Sequence, residues 1–165
     1  DAILKKPSTL NFEEFEIMKR HTVRGARLFS NLQSDYDEAA AIITLNHHER
    51  WDGSGYPGHV DPVSGKALPG YECGDNRAVP GKKGEEIPLF GRIVAIADVY
   101  DALSSKRSYK EPWDEARCVE SLSREAGSHF DPELVEIFFS KLEAFRFFPH
   151  QLLQYQNSGC LSGKR

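Results

Sequence analysis

Two adjacent histidines, His47 and His48, stand where an apolar segment gives way to a glycine-rich one, in the run His47-His48-Glu49-Arg50-Trp51-Asp52-Gly53-Ser54-Gly55-Tyr56-Pro57. Imidazoles at the rim of a helical core suit a mid-row divalent metal. Neighbours on a helix point about 100° apart, so the pair would address two sites or flank one. The competing reading is a partly exposed pair making ordinary hydrogen bonds. His21 shares a helical side with Met18 and Leu28, so it is expected to face inward, as a satisfied core residue or as a third ligand. Asp98 interrupts a markedly apolar stretch, and a carboxylate buried there costs several kcal/mol unless paired or bound to a cation. Asp101, one turn on, adds a second carboxylate that would repel the first. Either a metal or a basic side chain such as Arg92 must neutralise them. Three histidines and an aspartate without cysteine make a nitrogen and oxygen donor set suited to iron, manganese, nickel, cobalt or zinc. Such a centre polarises a phosphoryl oxygen and supplies hydroxide at neutral pH. Beyond Asp101 follow Ser104-Ser105-Lys106-Arg107-Ser108-Tyr109-Lys110. Arg107 and Lys110 could clamp phosphate, and arginine could read guanine O6 and N7. A solvated helix end is the plainer alternative.

The elements that must position these groups read as helices. The first is predicted from Phe12 to Ser30, capped by Asn11, with Phe15, Met18, Thr22, Ala26 and Phe29 as its inward stripe and His21 and Leu28 beside it. A second, from Asp37 to Glu49, is apolar on most sides and expected to be buried. From Gly53 to Pro88, glycine and proline recur and no period survives. A loop this long is more often functional than idle, although its middle, Val60 to Val79, also reads as a tolerated surface insertion. A third helix, from Pro88 to Ser105, leaves almost no polar face and is expected to be central. Trp113 to Ala126 and Asp131 to Phe147 complete the set, with a short helix near Gln151 to Gln156. No segment reads as a strand with a partner. The fold class is all-α, with a long loop between the second and third helices.

The 165 residues allow one domain with one core. A formal charge of −4 excludes a surface that coats nucleic acid or anionic lipid, so a nucleotide would need a local basic site. No apolar run is long enough to span a bilayer. Cys73, Cys118 and Cys160 form no Cys-x-x-Cys pair and read as reduced thiols of a cytoplasmic protein.

In this order the pieces resemble the HD-GYP family. His21 lies in Ile17-Met18-Lys19-Arg20-His21, similar to the family stretch that ends in a ligand histidine, and His47 to Pro57 matches the signature. Gly84-Glu85-Glu86-Ile87-Pro88, Ala97-Asp98-Val99-Tyr100-Asp101-Ala102-Leu103 and His129-Phe130-Asp131-Pro132-Glu133 match as well. The resemblance implies an HD-domain-like helical bundle whose binuclear or trinuclear centre, usually iron or manganese, hydrolyses cyclic di-GMP. It would make His21, His47, His48 and Asp98 metal ligands, and Asp101 a supporting carboxylate. Arg107 and Lys110 would grip the nucleotide beside Tyr56, on a loop that also meets partner signalling domains.

Three departures qualify the match. Ser108 stands where proline is common, residues 58–83 are far longer than usual, and the His-Asp doublet that names the family is absent from this chain. The chain is therefore expected to be one domain lacking its N-terminal helices, with 58–83 as a loop insertion and 148–165 as a tail. It would by itself hold metal weakly, hydrolyse little, and associate with a second copy. The alternatives are a cyclic GMP-AMP phosphodiesterase, a general phosphohydrolase of the HD superfamily, and an inactive interaction module.

Overall fold

The structure, a computed structural model, describes residues 3, 6, 8–31, 33–72, 78–106 and 111–142. Helix α1 spans Phe12–Arg27 and opens on a reciprocal cap, in which the Asn11 side chain accepts from Glu14 N–H and the Glu14 carboxylate accepts from Asn11 N–H. Its packed face is narrower than the periodicity predicts. Thr22 and Ala26 are buried, whereas Phe15 is exposed and Leu28, past the helix end, is 82% exposed. The predicted last turn to Ser30 is missing because the chain leaves the helix at Leu28.

Helix α2 spans Asp35–Asn46, two residues earlier than expected because Ser34 provides the cap, accepting from Asp37 N–H. It stops before His47 rather than after Glu49, and only Leu45 and Asn46 on it are buried. Helix α3 spans Leu89–Ser104, with Pro88 just before it, and packs on α2 and α4. At Gly91 the α2–α3 crossing is so close that a Cβ would sit 2.8 Å from Asn46 Cβ. Only Gly91, Ala95 and Ile96 of α3 are buried, so it is not wrapped on all sides by the described residues. Helix α4 spans Glu115–Arg124, capped by Asp114, and buries Cys118 and Leu122. A final helix, α5, covers 132–142 among the described residues. Asp131 caps it as the sequence implies, its Oδ1 accepting from the amides of Glu133 and Leu134. The expected helix at 151–156 lies outside the described residues.

Two apolar clusters hold these elements. Ala95, Ile96, Leu122, Phe130 and Val135 join α3, α4 and α5. Ala26, Leu45 and Val60 join α1, α2 and the long loop. The loop is thereby anchored at residues 58–60, whereas most of 61–72 is exposed, as a surface insertion would be. It contains one antiparallel bridge, Val60 to Ala67, and a 3-10 turn at Gly84–Glu86. Among the described residues there is no strand beyond isolated bridges and no helix long and apolar enough to cross a membrane. The molecule is all-helical, as predicted.

Candidate metal centre

Where α2 ends, the backbone turns and gathers imidazoles that a continuing helix would splay. His47 is the C-cap and His48 follows it. Their ring centroids lie 4.0 Å apart, and α1 brings His21 to 5.4 Å from His47 and 4.9 Å from His48. All three offer a ligand nitrogen within 4.8 Å of one another. They are half-buried.

The tautomers follow from the backbone. His21 Nδ1 lies 2.7 Å from the Met18 carbonyl, and His47 Nδ1 lies 3.0 Å and 3.1 Å from those of Thr44 and Ile43. A carbonyl only accepts, so each Nδ1 carries the proton and donates it. Each neutral ring is left with a bare Nε2 lone pair, and these two Nε2 atoms face each other at 3.4 Å. Two lone pairs repel unless a proton or a cation lies between them. Metal–imidazole bonds of about 2.1 Å at a tetrahedral angle separate two nitrogens by about 3.4 Å. The histidines present thus fit a divalent metal, and Nδ1–H to carbonyl bonds are the usual way a protein orients such ligands. Burial first, then the charges of His47, His21 and His129, lowers the His48 pKa to about 4. His48 therefore stays neutral and able to coordinate at physiological pH.

Tyr56 closes one side of the group. It stacks on His48 at 4.9 Å and takes Phe15 edge-on at 5.9 Å, so the α1 aromatic expected in the core forms part of the site wall. Lys19 lies over both rings while pairing with Glu16 at 2.6 Å. Burial, and then the negative charge of Asp98, pushes the Tyr56 phenol up to about 12. Asp98 is thus close enough for its charge to reach Tyr56, yet it is not in the three-histidine group and is exposed rather than buried. The expectation that burial would demand a counter-ion for it fails, because the described residues cover α3 on its other face. Arg92, considered as its partner, instead pairs with Asp131 at 2.7 Å. Asp101 is exposed and accepts from the Ser105 hydroxyl at 2.9 Å. Arg107 and Lys110 lie outside the described residues.

Glu49, which the sequence reading passed over, is the most telling residue beside the histidines. It is 1% exposed, and its carboxylate accepts from Gly58 N–H at 2.6 Å and Lys82 N–H at 3.1 Å. Lys82 Nζ in turn donates to Asn46 Oδ1 at 2.6 Å. Glu49 therefore ties both ends of the long loop to the end of α2. Burial raises its pKa, although Gly58 N–H and Lys82 oppose this. The loop passes tightly over the same point: a Cβ at Gly55 would overlap the Arg50 nitrogen and Glu49 backbone. Between these two contacts the Tyr56–Pro57 peptide is cis, and Tyr56 N–H donates to the His48 carbonyl at 3.1 Å. The signal in the sequence was an acidic residue beside two histidines at a boundary between apolar and glycine-rich segments. His129 was also missed as a neighbour. Burial, then Arg50, lowers its pKa, and its carbonyl accepts from Trp51 N–H.

The family described as HD domain matches residues 1–70 and 60–134. A Vibrio cholerae "3'3'-cGAMP-specific phosphodiesterase 2" is 37% identical over 88% of this chain and 24% of its own length. A Thermotoga maritima "Cyclic di-GMP phosphodiesterase" is 46% identical over 87% of this chain and 33% of its own length. The Xanthomonas campestris "Cyclic di-GMP phosphodiesterase response regulator RpfG" is 40% identical over 82% of this chain and 30% of its own. The chain thus spans about a quarter to a third of the length of these relatives. A solved structure of a cyclic GMP-AMP-specific phosphodiesterase from Vibrio cholerae matches with a TM-score of 0.50, at 23% identity over 89% of this chain and 32% of that one, which supports the helical fold. With the signature run folded around its histidines and most of its length matched, the chain belongs to the HD domain family, in its HD-GYP branch.

Proposed function

We propose that this chain supplies one wall of a metal-dependent phosphodiesterase that opens cyclic di-GMP to linear pGpG, and onward to GMP, in bacterial second-messenger signalling. The observation that carries the reading is the pair of Nε2 atoms at 3.4 Å whose Nδ1 partners are both committed to carbonyls. A metal between them would reconcile that pair, as would a shared proton. Relatives whose names specify cyclic dinucleotide phosphodiesterases support the substrate class.

On this reading His21, His47 and His48 hold a divalent metal, iron or manganese, in a binuclear or trinuclear centre that Asp98 joins, with Asp101 supporting from the next turn. When bound, the metal polarises the phosphoryl group and lowers the pKa of water. This chain's own groups do the rest. The two Nδ1–H bonds fix the imidazoles in the coordinating tautomer. Tyr56, protonated throughout the neutral range, presents a hydroxyl donor at the rim. Arg107 and Lys110 grip the nucleotide, and the Glu49-held loop meets partner signalling domains. We further assign the chain to a single cytoplasmic domain, with 58–83 as its insertion, that pairs with a second copy.

The intact protein loaded with manganese or iron is expected to hydrolyse cyclic di-GMP, with His47→Ala reducing turnover at least a hundredfold. No turnover of any cyclic dinucleotide by a fully metallated preparation would overturn the assignment. Cyclic GMP-AMP is the second reading, favoured by the relative specific for it, and a side-by-side comparison of kcat/KM decides between them.

A further inference from the structure

The acidic chain keeps a concentrated positive feature on the opposite flank of α1 from its core. Arg20, Arg24 and Arg27 follow one another at intervals of four and three, which places them within a sector of about 60°. They line one cavity of about 330 Å³ together with Val23 of the same helix and Ser64 and Gly65 of the long loop.

Every other arginine among the described residues has a partner. Arg50 pairs with Asp52 and Glu125, Arg92 with Asp131, and Arg124 with Glu120, while Arg117 lies on the Trp113 ring. Arg20, Arg24 and Arg27 have no carboxylate within 4.0 Å and no hydrogen-bond acceptor among the described residues. The nearby carboxylate, Asp61, feels the charge of Arg27 but lies beyond 4.0 Å of it, and its Oδ1 accepts from the amide and hydroxyl of Ser64, both at 2.6 Å.

The loop makes the stripe into a site. Its backbone at Gly65 approaches so closely that a Cβ there would lie 3.4 Å from Arg27 Nη2 and 3.2 Å from Val23 Cγ1. A second cavity of about 320 Å³ shares Arg20, Val23 and Gly65 and extends past Val60 and Val79 to Tyr56. Its other charged lining groups, Glu16 and Lys19, neutralise each other at 2.6 Å. A cationic end therefore adjoins an apolar, charge-neutral one.

We propose that this groove is a second ligand site, separate from the histidines, that takes a nucleoside monophosphate. Its phosphate lies among Arg20, Arg24 and Arg27, and its nucleoside lies over Val23, Val60 and Val79. Three guanidiniums suit a phosphomonoester dianion better than a singly charged diester, because the extra charge and third oxygen both find donors. The loop bounds the groove, and the chain's net charge of −4 opposes an extended polyanion, so a small ligand fits better than nucleic acid or a lipid surface.

Calorimetric titration of the whole chain in the presence of a chelator tests this with GMP, guanosine and inorganic phosphate as probes. GMP is expected to bind without metal, guanosine at least tenfold more weakly, and phosphate to compete with GMP. R24A/R27A, which places alanines at exposed helical positions, should weaken GMP at least tenfold without changing the thermal midpoint by more than a few degrees. R24K/R27K should recover part of the loss. GMP affinity within twofold of wild type in R24A/R27A, equal affinity for guanosine, or binding that appears only with metal would overturn the proposal. Manganese binding by R24A/R27A, measured alongside, reads the histidine centre independently and is expected to be unchanged.

Discussion

A carbonyl oxygen decides much of the chemistry at the histidines, because it forces the proton onto Nδ1 and leaves Nε2 to coordinate. His47→Gln, which keeps a polar side chain but loses the imidazole, should weaken manganese binding at least tenfold by calorimetry. His48 adds a pH dependence whose sign follows from its lowered pKa of about 4. Unfolded, it titrates near 6.5, so above that pH neither state is protonated and the stabilisation is fully present. As pH falls from about 6.5 toward 4, the unfolded chain gains a proton that the folded one resists, and stability is lost. Thermal midpoints of chelator-treated chain should fall across that window, and His48→Gln should flatten the slope. An unchanged slope in the variant would place the acid sensitivity elsewhere. Asp98 shows where residue-level reasoning went astray. An apolar run tells which side chains avoid water, but not which neighbour covers them, and here it predicted burial for a carboxylate that is exposed.

At the level of elements, caps were the legible part of the sequence. Asn11, Ser34, Asp114 and Asp131 each accept backbone amides at helix starts, and all but Ser34 and Asp114 were anticipated as helix openers. The anchoring of the loop after Gly53 was not legible, since it depends on one carboxylate whose partners lie 9 and 33 residues away and on Val60 packing against α1 and α2. No local pattern encodes such a contact. Glu49→Ala should therefore cost about 1–3 kcal/mol for each amide left without an acceptor, read by urea denaturation. The carboxyl's raised pKa means that its ionisation opposes folding as pH climbs above its ordinary range near 4.5, so Glu49→Gln should remove part of that slope. Gly91→Ala tests the α2–α3 crossing. Its Cβ would press on Asn46, whose side chain receives Lys82, and a loss of about 1–3 kcal/mol is expected.

Over the whole molecule, two clusters are joined across that crossing, and one largely buried ion pair fastens the cluster of α3, α4 and α5. Arg92 reaches from α3 to Asp131, the cap of α5, while its Nε is the buried side-chain polar atom without a partner among the described residues. Asp131→Ala removes the cap and strands the guanidinium, so it should destabilise by about 3–5 kcal/mol, checked by thermal or chemical denaturation. The all-helical class could be read from the chain, and the three histidines that the fold gathers were among its candidate ligands. The meeting of residues 21 and 47 across α1 and α2 could be read only through the family resemblance, because periodicity says nothing about contacts 26 positions apart. The adjacency of His48 and Glu49 carries one further consequence. The imidazole of the three-histidine group and the carboxylate that fastens the loop flank a single peptide plane, so a tilt of that plane would shift both together. On the proposed reading, with a metal at the histidines and a partner at the loop, thermodynamic reciprocity would make each tighten the other by the same factor. Metal occupancy would then serve as a gauge of what is docked outside, and an occupied loop as a gauge of the metal within.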